Sequence, residues 1–297
     1  MRREVVVSIL LLGSAVLHCG GQEPPEQAEK IPAAVQWTLD AAGPTQRAAI
    51  RSVVLLYCPK TNMKGTGFIL RDGVVVTNNH VVEGCTAEEM QANPFGAQGF
   101  GFAKMVTDKD VDLALLRPSK HFTQGLELGP EADSQIGTPV STWGFPLMYN
   151  GPAPLLSVGY VAGYVKDGED GKEVRHIVVN GAFNPGNSGG PLFRANDSKV
   201  IGVVVAKFHL YPPFVRQAID AMSKARSGVM YQGTDEHGNP ASFTEGQVTG
   251  MVLDQFYRTT QVMIGEAISV SELRAFLSRR KAEVEWGTSP PQGLKPE

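Results

Sequence analysis

The middle of the chain consists of short apolar runs that are separated by turn residues. Most of these runs are rich in β-branched residues and are bounded by Gly, Pro, Asn or Asp. They are IRSVVLLYC, GTGFIL, GVVVTN, VDLALLRP, TPVSTWGF, LLSVGYVAGYV, EVRHIVVN, PLF and KVIGVVVAKF. Runs of this length and composition are typical of β-strands. The pattern predicts an all-β barrel or sandwich.

Two segments have the periodicity of helices instead. PPFVRQAIDAMSKARSG has Pro213 at a first helical position and Gly228 as a stop. Its apolar positions share one face: Phe214, Val215, Ala218, Ile219 and Met222. SVSELRAFLSRR opens with the spacing of a capping box, Ser269 to Glu272. Its apolar face consists of Leu273, Phe276 and Leu277. Such faces more often pack on a core than bind a ligand.

The first 19 residues have the layout of a secretory signal. Two arginines precede an apolar run from Val5 to Leu17, which is too short to span a bilayer. We therefore expect the protein to be exported. The VLHC stretch resembles a bacterial lipoprotein signal, in which Cys19 would be lipidated, although His18 stands where that pattern has a small residue. Lipidation and simple removal of the signal both remain open, and membrane contact is expected only through such an anchor.

The segments that flank the apolar runs are polar. Residues 20–47 begin as a stretch rich in Pro, Glu and Gln, which we interpret as a tether. Residues 281–297 form a polar tail. The folded domain is therefore expected between residues 48 and 280.

Charge and composition exclude several classes of function. The chain has 297 residues, 27 Lys and Arg against 30 Asp and Glu, and no basic stripe with interleaved aromatic residues. Nucleic-acid binding therefore has little support. The six histidines are scattered, and no cysteine has a partner at zinc-ligand spacing. We expect neither a metal site nor a cofactor.

Candidate chemistry appears in NPGNSGGPLF, where Ser188 lies among glycines and just before an apolar run. One interpretation is a tight turn between strands. The other is a nucleophile, with the backbone amides of Gly186 and Ser188 turned towards an oxyanion. A serine nucleophile needs an imidazole base, and the base needs a carboxylate that orients it.

His80 and Asp112 fit these two requirements. His80 follows the point where an apolar run breaks at two asparagines, in VVVTNNHVV. Asp112 opens the apolar run of DVDLALL, so it can be partly desolvated and still reach a histidine. Asp108 and Asp110 precede it and are more typical of a solvated turn.

Taken in order, GTGFIL, TNNHVV, DVDLALL and NPGNSGGPLF resemble the chymotrypsin-fold serine peptidases, and in particular the HtrA-like bacterial branch. The resemblance covers about residues 50–208 and resumes at VMIGEAISVSELRAFL. It implies two antiparallel six-stranded β-barrels, of about residues 48–132 and 133–280. It also implies a C-terminal helix and a helical insertion of about residues 209–258 in the second barrel.

The resemblance further implies a role for each candidate residue. Ser188 would be the nucleophile, His80 the general base and then acid, and Asp112 its orienting partner. The oxyanion hole would use the amides of Gly186 and Ser188, with the Asn187 amide nearby.

The resemblance also locates a pocket for the substrate side chain. Its base would be Ala182 and Phe183, and its walls would include Val205 and Gly265. We expect it to accept a small or medium apolar side chain. Glu266 is the acid of the closing strand that would change this expectation if it faced the pocket.

Two cysteines remain once Cys19 is set aside, and an oxidising compartment would allow Cys58 and Cys85 to pair. The alternative is two separate buried thiols. A bridge would brace the loop that carries His80.

Two departures from the family pattern are informative. Digestive relatives have Asp before the serine, where it pairs with a new N-terminus, but here Asn187 stands there, so activation of that kind is not expected. The tail KAEVEWGTSPPQGLKPE is too short for the PDZ domain that many HtrA-like proteins carry. The branch without that domain is therefore expected.

The sequence favours an exported serine endopeptidase that acts on proteins or peptides. The alternative is a catalytically silent binding module that kept the fold. An esterase is disfavoured because the serine is not in a G-x-S-x-G motif. The insertion would either pack on the second barrel and limit substrate entry, or decorate the surface. The oligomeric state is left open.

Overall fold

The computed structural model describes residues 33–130, 132, 134–147, 149, 151, 153–167, 172–205, 213–234, 239–259 and 264–285. The predicted signal, Cys19, the first part of the predicted tether and the last twelve residues of the predicted tail lie outside the described residues. No helix in the described part of the chain is both long enough and apolar enough to cross a bilayer.

Two helices precede the first barrel: α1 (Ala33–Ala41) and α2 (Pro44–Ser52). The first barrel is closed and antiparallel, and a short helix, α3 (Asn79–Val82), follows its third strand. Its strands are β1 (Val53–Cys58), β2 (Met63–Ile69), β3 (Val75–Thr77), β4 (Gln91–Pro94), β5 (Phe100–Asp108) and β6 (Leu113–Pro118). They are joined in the order β1-β2-β3-β6-β5-β4.

The second barrel is also closed, in the order β10-β11-β14-β9-β8-β7. Its strands are β7 (Pro139–Gly144), β8 (Leu155–Asp167), β9 (Val174–Val179), β10 (Pro191–Arg194), β11 (Val200–Val205) and β14 (Gly265–Ser269). Helix α6 (Val270–Arg280) and a 3-10 turn (Lys281–Glu283) follow. The prediction of two antiparallel six-stranded barrels with a C-terminal helix is confirmed.

The insertion between β11 and β14 contains two helices and a hairpin. They are α4 (Pro213–Ser223), β12 (Met230–Thr234), β13 (Pro240–Thr244) and α5 (Glu245–Thr259). Helix α4 packs closely on α5, because a side chain on Gly250 would meet the Ser223 hydroxyl and the Ile219 carbonyl. Ile219 is buried, whereas Phe214 is 70% exposed.

The predicted packing of the α4 face on the second barrel is therefore wrong for part of that face. Phe214 and Ala218 are exposed, and the Ile219 carbonyl lies beside Gly250 of α5. The sequence pattern identified the apolar positions of α4, but it did not reveal that a second helix would pack against α4.

The apolar core has three parts. Each barrel encloses a cluster, with Leu56 and Leu116 in the first and Ile177 and Leu192 in the second. A third cluster joins the outside of both barrels to the helices at the two ends of the chain, and it includes Ile50 of α2. This layer sets the two barrels against each other through burial of apolar area.

Part of the predicted tether is a structural element. Residues 33–47 belong mainly to α1 and α2, and Val35 and Leu39, four residues apart on one face of α1, are buried in the third cluster. The tether prediction is wrong for this part. The apolar positions were too few to stand out from the polar sequence around them, but they are enough to hold a short helix on a preformed core.

The predicted capping box at α6 is also wrong, although the helix begins where it was expected. Ser269 is at the N-cap, but its hydroxyl hydrogen-bonds that of Ser271 at 2.7 Å. The Glu272 carboxylate instead accepts the backbone N–H of Arg175 at 3.2 Å. Leu273 and Phe276 are buried, as the periodicity predicts.

Candidate active site

His80 and Asp112 are held together by two hydrogen bonds. The Nδ1 atom of His80 lies 2.7 Å from one carboxylate oxygen of Asp112, and the backbone N–H of His80 donates to the other oxygen at 2.9 Å. Because both carboxylate oxygens are engaged, the imidazole ring has one orientation. Its Nδ1 faces the acid and its Nε2 faces away. The His80 side chain is 13% exposed and the Asp112 side chain 29%, so the histidine is the better shielded member of the pair.

The backbone around Asp112 is itself arranged to present this carboxylate. Asp112 has a φ of 53°, in the left-handed region that Asp and Asn tolerate better than most residues. Its carbonyl accepts a hydrogen bond from the Asn78 side chain at 3.0 Å. Asn78 is fully buried at the N-cap of α3, two residues before His80. The loop that carries His80 therefore also holds Asp112.

Asp108 and Asp110 are used elsewhere, as expected of a solvated turn. Asp108 lies 3.4 Å from an Arg279 nitrogen, and Asp110 pairs with Lys172. The Asp110 carboxylate raises the pKa of the exposed Lys172 ammonium, mainly through that hydrogen bond. In the described part of the chain, the acid that hydrogen-bonds to His80 is Asp112, and neither Asp108 nor Asp110 does so.

Ser188 lies in a tight turn that only glycines permit. Gly186 and Gly189 have φ angles of 100° and 84°. A side chain on Gly189 would overlap the Thr77 hydroxyl and the Thr66 carbonyl, and one on Gly186 would overlap the Phe145 carbonyl. Ser188 itself is 6% exposed.

This turn lies against the segment that carries His80. A side chain built on Gly65 would lie 2.7 Å from the Val81 methyl groups and 3.3 Å from the Ser188 carbonyl. Val81 follows His80 directly in α3, so the backbone of the Ser188 turn lies close to the helix that carries His80. The backbone N–H of Thr66, the next residue of β2, donates to the Ser188 carbonyl at 2.9 Å.

Hydrogen bonds to the carbonyl and N–H groups of the turn fix the orientation of its peptide groups. The Pro185 carbonyl accepts the Leu147 N–H at 2.9 Å. Since C=O and N–H point in opposite directions across a planar trans peptide, the Gly186 N–H points away from Leu147. The Asn187 N–H donates to the Asn184 carbonyl at 2.9 Å. The Asn187 amide, which was expected near the oxyanion hole, is used inside the turn in this conformation.

The Asn187 side chain is fully buried, and neither its amide nitrogen nor its oxygen has a hydrogen-bond partner among the described residues. Its oxygen lies beside Gly144, where an added side chain would approach it to 2.6 Å.

The expected pocket residues are brought together in part. The Phe183 ring packs directly on Gly265, where any side chain would overlap it. Phe183 is 7% exposed and joins the cluster inside the second barrel. Val205 pairs with Glu266 and belongs to the third cluster, so it lies on the other face of the sheet from Gly265. Ala182, next to Phe183 in the sequence, is half-buried. An aromatic ring thus closes the space that Gly265 leaves open.

Glu266 faces away from this pocket. Its carboxylate lies 3.5 Å from Nδ1 of His176 on β9. Successive residues of a strand point to opposite faces, so Glu266 and Gly265 face opposite sides of β14. No acid from this strand reaches the side on which Phe183 lies.

Cys58 and Cys85 form a disulfide, with their Cα atoms 6.6 Å apart. It joins the end of β1 to the segment that follows α3, and Cys85 comes directly after Gly84, which has a φ of 80°. The Cys85 sulfur also lies 3.3 Å from the Thr61 hydroxyl. The bridge therefore ties down the loop that carries His80.

Comparison with known proteins finds similarity over the segment that carries this site. Residues 65–203, which include His80, Asp112 and Ser188, match the trypsin-like peptidase domain family. The chain is 32% identical over 140 residues to a probable periplasmic serine endoprotease, DegP-like, of Hahella chejuensis, covering 47% of this chain and 29% of the relative. A protein of the same description from Chlamydia trachomatis is 34% identical over 151 residues, covering 48% of this chain and 28% of the relative.

The chain thus spans less than a third of the length of these two relatives. Among solved structures, the HtrA-type protease AlgW with a tripeptide superposes with a TM-score of 0.52 at 19% identity, covering 80% of this chain and 62% of AlgW. An inactive form of Rv3671c from M. tuberculosis superposes with a TM-score of 0.54 at 18% identity, covering 84% and 96%. At these identities the superpositions show a shared fold.

Proposed function

We propose that this chain, whose residues 65–203 match the trypsin-like peptidase domain family and which has DegP-like relatives, is a serine endopeptidase that uses His80, Asp112 and Ser188. The observation that carries the proposal is the His80 to Asp112 pair at 2.7 Å, with the Ser188 turn packed against the same segment. A carboxylate on Nδ1 leaves Nε2 as the atom that can accept a proton.

In the proposed reaction, Ser188 Oγ attacks the carbonyl carbon of the scissile peptide bond while His80 Nε2 takes the hydroxyl proton. Asp112 stabilises the imidazolium that forms. The negative charge on the carbonyl oxygen would be held by the N–H groups of Gly186 and Ser188. His80 then returns the proton to the leaving amine, the C–N bond breaks, and water hydrolyses the acyl-enzyme by the same steps.

The pocket supports cleavage after small or medium apolar residues. The Phe183 ring against Gly265 limits its depth, and Glu266 pairs with His176 on the other face of the strand. Within the described strand β14, no carboxylate therefore faces the side on which Phe183 lies, where a Lys or Arg side chain of the substrate would need one. Proteins and peptides with apolar cleavage sites are the proposed substrate class.

Export is part of the proposal. Relatives described as periplasmic support it, as does the apolar run from Val5 to Leu17. Mass spectrometry of the mature protein from a bacterial host tests the N-terminal processing. A diacylated Cys19 would show a lipid anchor, and an unmodified N-terminus beyond the signal would show simple removal.

A fluorophosphonate probe tests the activity, because it bonds only to an activated serine. We expect the purified, folded protein to be labelled, Ser188→Ala to be unlabelled, and His80→Ala to be labelled far more slowly. Ser278→Ala on the surface of α6 is the matched control and should label normally. A folded wild-type protein that is not labelled would overturn the proposal and favour a binding module.

A further inference from the structure

Thr66 is a buried residue of the first barrel. Its hydroxyl and its backbone N–H hydrogen-bond to residues of the second barrel, and its carbonyl hydrogen-bonds to the strand that leads to His80. It lies in β2 and is fully buried. Its hydroxyl donates to the Gly186 carbonyl at 2.6 Å and accepts the Phe145 N–H at 3.1 Å. Because the hydroxyl both donates and accepts, its orientation is set from both sides.

The backbone of Thr66 extends the same set of contacts. Its N–H donates to the Ser188 carbonyl at 2.9 Å, and its carbonyl accepts the Thr77 hydroxyl at 2.7 Å. Thr77 ends β3, three residues before His80. One residue therefore connects the Ser188 turn to the segment that presents the histidine.

The Gly186 carbonyl needs such a partner. Glycine passes between backbone conformations more easily than other residues, so a peptide group beside it can rotate unless its carbonyl is bound. The Leu147 N–H binds the Pro185 carbonyl, and Thr66 binds the carbonyls of Gly186 and Ser188. The Ser188 N–H belongs to the peptide group between those two, whose Asn187 carbonyl accepts the Gly190 N–H at 3.0 Å. Thr66 therefore holds the peptide groups on both sides of the one that carries the Ser188 N–H.

We propose that Thr66 is a positioning residue for the proposed peptidase reaction. It holds the Gly186 to Ser188 turn in the conformation that directs the oxyanion-hole amides, and it does so from the opposite barrel. The inference rests on the proposed function of Ser188. Thr66 contacts neither substrate nor reacting atoms in this arrangement, so its effect is exerted through the turn.

Two substitutions separate the hydroxyl from the rest of the side chain. Thr66→Val keeps the shape and removes both hydroxyl hydrogen bonds, whereas Thr66→Ser keeps the hydroxyl and removes the methyl group that lies near Gly190. Thr142→Val is the matched control, because Thr142 is equally buried and its hydroxyl makes one long hydrogen bond within the described part of the chain, to the neighbouring Trp143 carbonyl at 3.5 Å.

Turnover of a peptide substrate by the full chain, corrected for the fraction of folded protein, is the first measurement. We expect Thr66→Val to lower kcat by about 10- to 100-fold with KM changed by less than about 3-fold, since misaligned oxyanion donors weaken transition-state binding. Thr66→Ser should recover kcat to within about 3-fold of wild type, and Thr142→Val should match wild type. Equal losses in Thr66→Val and Thr66→Ser would assign the effect to packing and overturn the proposal.

Amide hydrogen exchange is the second measurement, and it does not require activity. The Phe145 N–H should exchange at least about 10-fold faster in Thr66→Val than in wild type, but not in Thr66→Ser. Unchanged exchange in Thr66→Val would overturn the proposal even if kcat fell. An unlabelled wild type in the fluorophosphonate test would refute the peptidase function, while the exchange result would still decide whether Thr66 holds the turn. If Thr66→Val does not fold, Thr66→Ala serves in both measurements.

Discussion

The disulfide between Cys58 and Cys85 should supply a large share of the stability of this domain. The two cysteines are separated by 27 positions along the chain. In the chain-entropy model, closing a loop of this length stabilises the fold by about 3.5 kcal/mol. Whole domains are commonly stable by about 5–15 kcal/mol, so loss of the bridge should be readily measured.

Cys58→Ala, Cys85→Ala and the double variant test this value. Either single substitution breaks the same bond, so we expect each of the three proteins to lose about 3 to 5 kcal/mol of unfolding free energy, including the small cavities left at these buried positions. The cost of the double variant should be close to that of either single one, which is the non-additivity expected of two residues that share one interaction.

Urea unfolding of the unreduced proteins measures these differences. The matched control is a reducing agent, which should lower the stability of the wild type towards that of the double variant and leave the double variant unchanged. Two titratable thiols in the native, unreduced wild type would refute the reasoning. So would single variants that each lose less than about 1 kcal/mol and whose losses add.

Two further substitutions test the proposed chemistry and the pocket. Asp112→Asn should preserve the fold, because Asn also tolerates the φ of 53° at this position. It should lower kcat by about 10³- to 10⁴-fold, because the carboxylate that orients His80 is lost. Near-normal kinetics would show that another acid orients His80. Phe183→Ala should open the space beside Gly265 and shift cleavage in a peptide-library digest towards larger residues, at a cost of about 3–5 kcal/mol in stability. Phe183→Leu is its control, and an unchanged cleavage preference in Phe183→Ala would show that this ring does not limit the pocket.

Most of the barrel strands could be predicted because they depend on local patterns, although β4 and β5 lie outside the predicted runs. Short apolar runs such as VDLALL and the β-branched KVIGVVV favour strands whatever surrounds them. The same is true of the face of α6, where Leu273 and Phe276 are buried as their spacing predicts. The resemblance of four ordered motifs then supplied the topology, since the order of strands in a closed barrel is not visible in periodicity.

Local patterns failed to predict features that are held by contacts with residues far away in the sequence. Val35 and Leu39 are too isolated to predict a helix, yet the core formed by both barrels is large enough to bind them. Ser269 and Glu272 have the spacing of a capping box, but the Ser269 hydroxyl bonds Ser271 and the Glu272 carboxylate accepts the Arg175 N–H of β9. Helix α5 escaped prediction because it is stabilised by α4 through close contact at Gly250.

The sequence by itself determined which chemical groups the site contains: a histidine after a strand break, an aspartate at the mouth of a strand and a serine among glycines. Tertiary structure decided how these groups are held. The hydrogen bond from Thr66 to Gly186 joins residues 120 positions apart, and that from Phe145 to Thr66 joins residues 79 apart. A threonine in GTGFIL looks like any strand residue, because hydrogen bonds between two separately closed barrels depend on how the barrels pack and leave no periodic trace in either segment.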